Sequence, residues 1–138
     1  MIDESHGFRK IAQYVAIAFG IFLIGAETFR NWGEWPHWKG YAFDYGFSVM
    51  LILLGLMIYR TRYVILSLMA VIWSLTVFLF TWSFIGHIKN IDNPTYGLID
   101  QIPLTIGIGV LDLVAVSGII FTVLALIKTK QVGKVGVP

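Results

Sequence analysis

The chain has 138 residues, of which 57% are hydrophobic, 15% aromatic and only 13% charged. A soluble domain carries about a quarter charged residues, so this chain has too few to cover a water-facing surface, and its mean hydropathy of +0.78 agrees. The formal net charge of +2 is too small to indicate a nucleic-acid partner. The sequence has no cysteine, which excludes disulfides, thiolate metal sites and a cysteine nucleophile. Composition therefore predicts a membrane protein whose main partner is the lipid bilayer.

Four apolar runs follow one another along the chain, at about residues 11–28, 43–59, 64–85 and 102–127. Each is close to the ~20 residues that a helix needs to cross a bilayer core. Lipid satisfies no backbone polar groups, so these runs should be helices. We predict an all-α membrane protein in which residues 1–138 form a single domain, an antiparallel bundle of four transmembrane helices.

The first run follows a basic pair, Arg9 and Lys10, as the apolar part of a cleaved signal peptide would. The segment after it, GAETFRNW, lacks the small-residue pattern of a cleavage site. We therefore predict that the run is retained as a membrane helix.

The distribution of lysine and arginine predicts the orientation of the helices. Two loops, at about 29–42 and 86–101, contain Arg30, Lys39 and Lys89. The other seven basic residues lie in the N-terminal segment, the connection between the second and third runs, and the C-terminal tail: Arg9, Lys10, Arg60, Arg62, Lys128, Lys130 and Lys134. Positive residues favour the cytoplasmic side. We predict a multi-pass protein of the cell (inner) membrane with both termini inside and both loops outside.

Small residues predict where the helices touch, because close contact replaces the hydrophobic effect as the packing force in lipid. The three stripes, on the first, third and fourth runs, are Ala12, Ala16 and Gly20; Ser67, Ala70 and Ser74; and Gly107, Gly109 and Gly118.

Asp112 is the one charged residue deep within an apolar run. It lies ten residues into the fourth run, about 15 Å below the outer interface, where a carboxyl group is costly without a partner. Counting from the outer end of the third run predicts that the hydroxyls of Ser74 and Thr76 and the indole N–H of Trp73 can donate hydrogen bonds to Asp112. Asp112 would serve as a proton or cation relay, as a contact to a basic group of another subunit, or as a lock between two helices.

The first outer loop contains the sequence NWGEWPHWKGY, residues 31–41. Trp32, Trp35 and Trp38 recur at every third position, and tryptophan concentrates at membrane interfaces. Pro36 disfavours a long regular helix here. We interpret the stretch as an interfacial anchor or docking surface; a ligand cage is the alternative.

Two further groups near the outer end have candidate roles. Glu27 is three residues before Arg30, which predicts a local ion pair, with a vestibule function as the alternative. His37, His87 and Glu34 are weak metal-ligand candidates, since no HxxxH or HExxH spacing occurs. We predict no metal and no cofactor.

Three functions are compatible with these patterns. The favoured one is a non-catalytic accessory, assembly or scaffold subunit that binds other membrane subunits or itself. The first alternative is a small homo-oligomeric transporter or channel that uses Asp112. The second is an interfacial enzyme or redox protein acting on quinone or lipid. Nucleophile elbows, phosphate-binding loops and dinucleotide fingerprints are absent from the sequence, which favours a non-enzyme without deciding it.

Overall fold

The structure is a computed structural model that describes residues 4–33, 42–59, 62–92 and 100–135. Within these ranges it contains four helices and no strand: α1 (Glu4–Arg30), α2 (Ala42–Met57), α3 (Arg62–Lys89) and α4 (Gln101–Val135). The prediction of an all-helical chain is confirmed, and the four predicted runs each correspond to one helix.

Three of the helices are long and apolar enough to cross a membrane, over His6–Arg30, Tyr63–Lys89 and Gln101–Gln131. Helix α2 has 16 residues and is therefore only about 24 Å long. It ends at Met57, because Ile58 and Tyr59 form a turn before the connection to α3. The chain thus has three candidate membrane spans and one shorter apolar helix.

Local sequence explains where two of the helices end and begin. Gly33 follows α1 with a φ of 90°, a left-handed conformation that glycine adopts readily. At the same end of α1, the side-chain nitrogen Nδ2 of Asn31 donates a hydrogen bond to the Glu27 backbone carbonyl at 2.8 Å. In α4, Pro103 falls within the first turn, where its missing N–H breaks no helical hydrogen bond.

The helices pack in a closed cycle, with α1 against α2, α2 against α3, α3 against α4 and α4 against α1. Phe19 reaches across the centre of this cycle. Its ring makes edge contacts with Trp73, 5.1 Å between centroids, and with Phe80 at 6.0 Å. The remaining core side chains are mostly aliphatic and come from all four helices: Leu23, Leu51, Leu54, Leu66, Met69 and Ile108, among others.

The small-residue stripe of α1 is a packing surface, as predicted. Ala12 and Ala16 are fully buried, and a Cβ placed on Gly20 would lie 2.7 Å from the Ser48 carbonyl oxygen. Helix α2 approaches in the same way at Gly55, whose carbonyl accepts a hydrogen bond from Gln13 at 3.1 Å.

The other two stripes were predicted less well. On α3, Ser74 is exposed, and the core is filled by larger residues such as Met69 and Trp73. On α4, Gly109 and Gly118 face the rings of Phe84 and Trp73, whereas nothing lies within 4 Å of a Cβ on Gly107. Rings from α3 fill the space here, so α3 needs no small residues of its own.

Large apolar side chains cover the outside of the described helices. On α2 they include Val49, Met50, Leu53 and Leu56, and on α4 Ile102, Ile106, Val110 and Leu113. A soluble protein rarely exposes so large an apolar surface to water. The outer face therefore agrees with a protein surrounded by lipid.

Candidate functional site

Two polar features occur in the described helices, a chamber at one end of the bundle and a carboxyl group farther along α4. The polar chamber is a cavity of about 220 Å³. Its polar lining consists of Glu27, Arg30, Asp44, Ser83 and His87, and its apolar lining of Leu79, Phe80 and Ile108. All four helices contribute, so the chamber exists only when the whole bundle is assembled.

Glu27 and Arg30 form the ion pair that their spacing predicts. Arg30 Nη2 lies 2.9 Å from Glu27 Oε2, and the same oxygen accepts a hydrogen bond from Asn31 Nδ2 at 2.9 Å. Both charged side chains are largely buried, with exposed fractions of 13% for Glu27 and 22% for Arg30. The pair is therefore better shielded from water than an ordinary surface ion pair.

Asp44 lies in the first turn of α2 and also lines the chamber. Its backbone carbonyl accepts a hydrogen bond from Ser48 at 2.6 Å. Within the described residues, its carboxylate has no ion pair and no hydrogen bond, whereas the Glu27 carboxylate has both. The N-terminus of α2 offers its partial positive charge to Asp44, and the charges of Arg30 and Glu27 act on the Asp44 carboxylate in opposite directions.

A hydrogen bond between α1 and α2 braces this end of the bundle. The hydroxyls of Thr28 and Tyr45 are 2.7 Å apart, and Thr28 also donates to the Ile24 carbonyl at 2.7 Å. Since that donation uses the Thr28 proton, Tyr45 is the donor between the two hydroxyls. This contact fixes the two helix ends from which Glu27 and Asp44 project.

His87 is held by Gln101 in a defined tautomer. Gln101 Nε2 is 2.8 Å from His87 Nδ1 and 3.2 Å from the His87 carbonyl oxygen. An amide nitrogen can only donate, and the carbonyl oxygen requires a donor, so Nδ1 acts as an acceptor. A neutral ring in this arrangement carries its proton on Nε2.

Asp112 accepts a hydrogen bond from Thr81 and not from the predicted partners. Thr81 Oγ1 donates to Asp112 Oδ2 at 2.9 Å. The Ser74 hydroxyl instead donates to the Ala70 carbonyl, and that of Thr76 to the Ile72 carbonyl, each at 2.8 Å within α3. The predicted hydrogen bonds from Ser74 and Thr76 to Asp112 are therefore wrong.

Two physical effects explain this error in register. Helix α3 continues to Lys89, four residues beyond the predicted end at Ile85. In addition, helical side chains lean toward the N-terminus of their own helix. Side chains of α3 therefore lean away from Lys89, and side chains of α4 lean toward Gln101. Both effects move the partner of Asp112 closer to the end of α3.

The Asp112–Thr81 contact lies at the edge of the α3–α4 interface. Thr81 is exposed, and the residue after Asp112, Leu113, has 72% of its side chain exposed. The second carboxyl oxygen, Asp112 Oδ1, is buried and has no hydrogen-bond partner among the described residues. One of the two carboxyl oxygens therefore has no hydrogen bond among the described residues.

Trp73 does not contact Asp112 as the sequence suggested. Its indole is fully buried and packs on Gly118, where a Cβ would lie 2.5 Å from the ring. Its Nε1 also lacks a partner among the described residues.

The outer-loop candidates are only partly described. Trp32 is 66% exposed at the end of α1, whereas Glu34, Trp35, His37 and Trp38 lie outside the described residues. In the described part of the chain, no group of three histidine or acidic side chains could hold a metal ion. The roles assigned to the tryptophans and to His37, His87 and Glu34 remain predictions.

Sequence reasoning did not identify the chamber. The sequence patterns led to separate assignments for Glu27 and His87, and no pattern placed either residue with Asp44 or Ser83. The available signal was that all of these residues lie near helix ends on the same predicted side of the membrane. Which of them share a cavity depends on how each helix is rotated.

Comparison with protein-family models, with curated proteins and with solved structures finds no match for this chain.

Proposed function

We propose that the chain is a multi-pass protein of the cell inner membrane that serves as a non-catalytic accessory, assembly or scaffold subunit of a larger membrane complex. The proposed topology is an antiparallel bundle of four spans with both termini in the cytoplasm. The excess of lysine and arginine at the predicted inner end supports this orientation. For α2 to span as well, the bilayer would thin locally around its 16 residues, a modest cost for a short helix.

The observation that carries this proposal is that Asp112 lies beside the exposed Thr81 at the edge of the α3–α4 interface. Thr81 satisfies one oxygen, and the other has no described partner. A carboxyl group in an apolar segment is costly unless it is paired. A helix of another subunit packed along the α3–α4 edge would cover Thr81, and a polar or basic side chain on that helix would bond the carboxyl group once the buried Oδ1 turned toward the edge.

Native purification tests this proposal directly. The protein is isolated in mild detergent from its own cells, and everything attached is identified and quantified by mass spectrometry. We expect stoichiometric membrane subunits that are lost or reduced for Asp112→Asn. The matched control is Asp100→Asn, which changes an exposed aspartate just before α4. Recovery of the chain alone, or an unchanged complex with Asp112→Asn, would contradict the proposed role.

A homo-oligomeric transporter or channel is the second candidate, and one observation favours it. Ile108 lines the polar chamber, and Asp112 lies one helical turn farther along α4. The chamber that contains Glu27 and the carboxyl group of Asp112 therefore lie about one helical turn apart along α4. This candidate predicts a symmetric homo-oligomer and proton-coupled flux in liposomes that Asp112→Asn abolishes. An interfacial enzyme or redox protein remains a prediction from the outer-loop residues.

A further inference from the structure

We infer that the polar chamber binds a small organic monovalent cation, with Asp44 as its counter-ion. This inference goes beyond the proposed function and does not depend on it, since an accessory subunit and a transporter could both have such a site. Its basis is the combination of a half-open cavity of limited volume, an excess of negative charge in its lining and the apolar residues beside that charge.

The charge of the chamber follows from its lining. Arg30 is paired with Glu27 at 2.9 Å, so these two side chains neutralise each other. The remaining ionisable groups that line it are Asp44 and His87. His87 is counted as neutral at pH 7, and its Nδ1 lies 2.8 Å from the Gln101 amide nitrogen. The formal charges of the lining therefore sum to one negative charge, and the Asp44 carboxylate has no ion pair or hydrogen bond among the described residues.

The volume limits the size of the ligand. The chamber measures about 220 Å³, which is below the ~300–1,000 Å³ of pockets for drug-sized ligands. It suits a molecule of a few non-hydrogen atoms.

The apolar lining distinguishes an organic cation from a metal ion. Leu79, Phe80 and Ile108 form one wall, and hydrated sodium would gain nothing from contact with them. A short alkyl chain would bury apolar surface there, and an ammonium group near the Phe80 ring would also gain a cation–π attraction. Ser83 offers a hydroxyl that can accept a hydrogen bond from the ammonium group. These features together favour a short-chain alkylammonium.

Calorimetric titration of the full-length protein in lipid nanodiscs tests the inference, with propylammonium as the probe. We expect saturable binding that sodium and the zwitterion β-alanine do not reproduce. Asp44→Asn should weaken binding by at least ~tenfold, since it removes the charge of the described lining that has no ion pair. The control Asp100→Asn changes an exposed aspartate that does not line the chamber. Its affinity for propylammonium should stay within about twofold of the wild type, a difference well below 1 kcal/mol.

A second variant separates loss of the site from loss of the fold. Ser83→Leu keeps every charge and fills part of the chamber, so it should also weaken propylammonium binding. Thermal unfolding of each variant checks that the bundle is intact. The inference is overturned if propylammonium does not bind, if sodium or β-alanine binds equally well, or if folded Asp44→Asn or folded Ser83→Leu binds like the wild type.

Discussion

The α1–α2 and α3–α4 pairs solve the same packing problem in different ways. Between α1 and α2, glycines let the backbones approach, with Gly20 against the Ser48 carbonyl and Gly55 against Ile17 and the Gln13 carbonyl. Between α3 and α4, glycines receive aromatic rings, with Trp73 on Gly118 and Phe84 on Gly109. Polar contacts between side chains then join α3 and α4, namely Thr81 with Asp112 and His87 with Gln101.

This difference shows that a glycine in a membrane helix has no single meaning. Where backbones approach, the small residue is part of a regular stripe, because each turn of the helix must leave the same space. Where a ring fills the notch, one glycine is enough, and its position is set by the ring on the other helix. The second arrangement concentrates more of the packing in a single contact.

The largest expected effect comes from Gly118→Ala. The new Cβ would lie 2.5 Å from two atoms of the Trp73 ring, and the fully buried ring has no space to retreat. We expect a loss of about 3 kcal/mol in the free energy of unfolding, measured by thermal or denaturant unfolding in detergent. The control Gly107→Ala changes a glycine of the same helix with nothing within 4 Å. Equal stability of the two variants would contradict the described α3–α4 interface.

Gly20→Ala tests the α1–α2 interface and should lower the free energy of unfolding somewhat less than Gly118→Ala does. Its Cβ would meet the Ser48 carbonyl oxygen and Ile52, both at 2.7 Å. The helices can separate slightly to relieve this clash, so we expect a loss of about 2 kcal/mol in the same unfolding experiment. Gly25→Ala, also on α1, meets nothing within 4 Å and should be neutral or stabilising because alanine favours helix. The interpretation fails if Gly20→Ala is as harmless as Gly25→Ala.

Thr81→Val removes the hydrogen bond to Asp112 while preserving the shape of the side chain. We expect a loss of about 1 kcal/mol in the stability of the bundle, since one neutral donor to the carboxyl group disappears. Thr129→Val is the matched control, because the Thr129 hydroxyl donates only to the Ala125 carbonyl of its own helix. A larger loss from Thr129→Val than from Thr81→Val would mean that the contact between helices contributes nothing.

Glu27→Gln should have the smallest effect. It abolishes the ion pair with Arg30 but keeps an oxygen that can accept from Asn31. Because both side chains retain some exposure, we expect a loss of about 0.5–1 kcal/mol in the free energy of unfolding. High salt should reduce this difference in stability from the wild type. Asp92→Asn, at an exposed position, supplies the control. A loss that does not change with salt would indicate that the carboxylate has another role.

Much of the fold is legible in the sequence. The apolar runs predicted four helices in the right order, and the three long ones are apolar enough to cross a membrane. The spacing of Ala12, Ala16 and Gly20 predicted the packing face of α1, and the spacing of Glu27 and Arg30 predicted their ion pair. These features depend on one helix at a time, and the helical repeat of 3.6 residues is sufficient to derive them.

The tertiary structure alone decided what depends on two or more helices. Thr81 replaced Ser74 and Thr76 as the partner of Asp112, since the length of α3 and the lean of its side chains set the register. Trp73 lies on Gly118 instead of bonding Asp112. The polar chamber requires the rotation of four helices at once, and rotation is fixed by core packing between neighbours. A linear sequence specifies the faces of each helix, whereas the contacts between faces are chosen by the packing of the whole bundle.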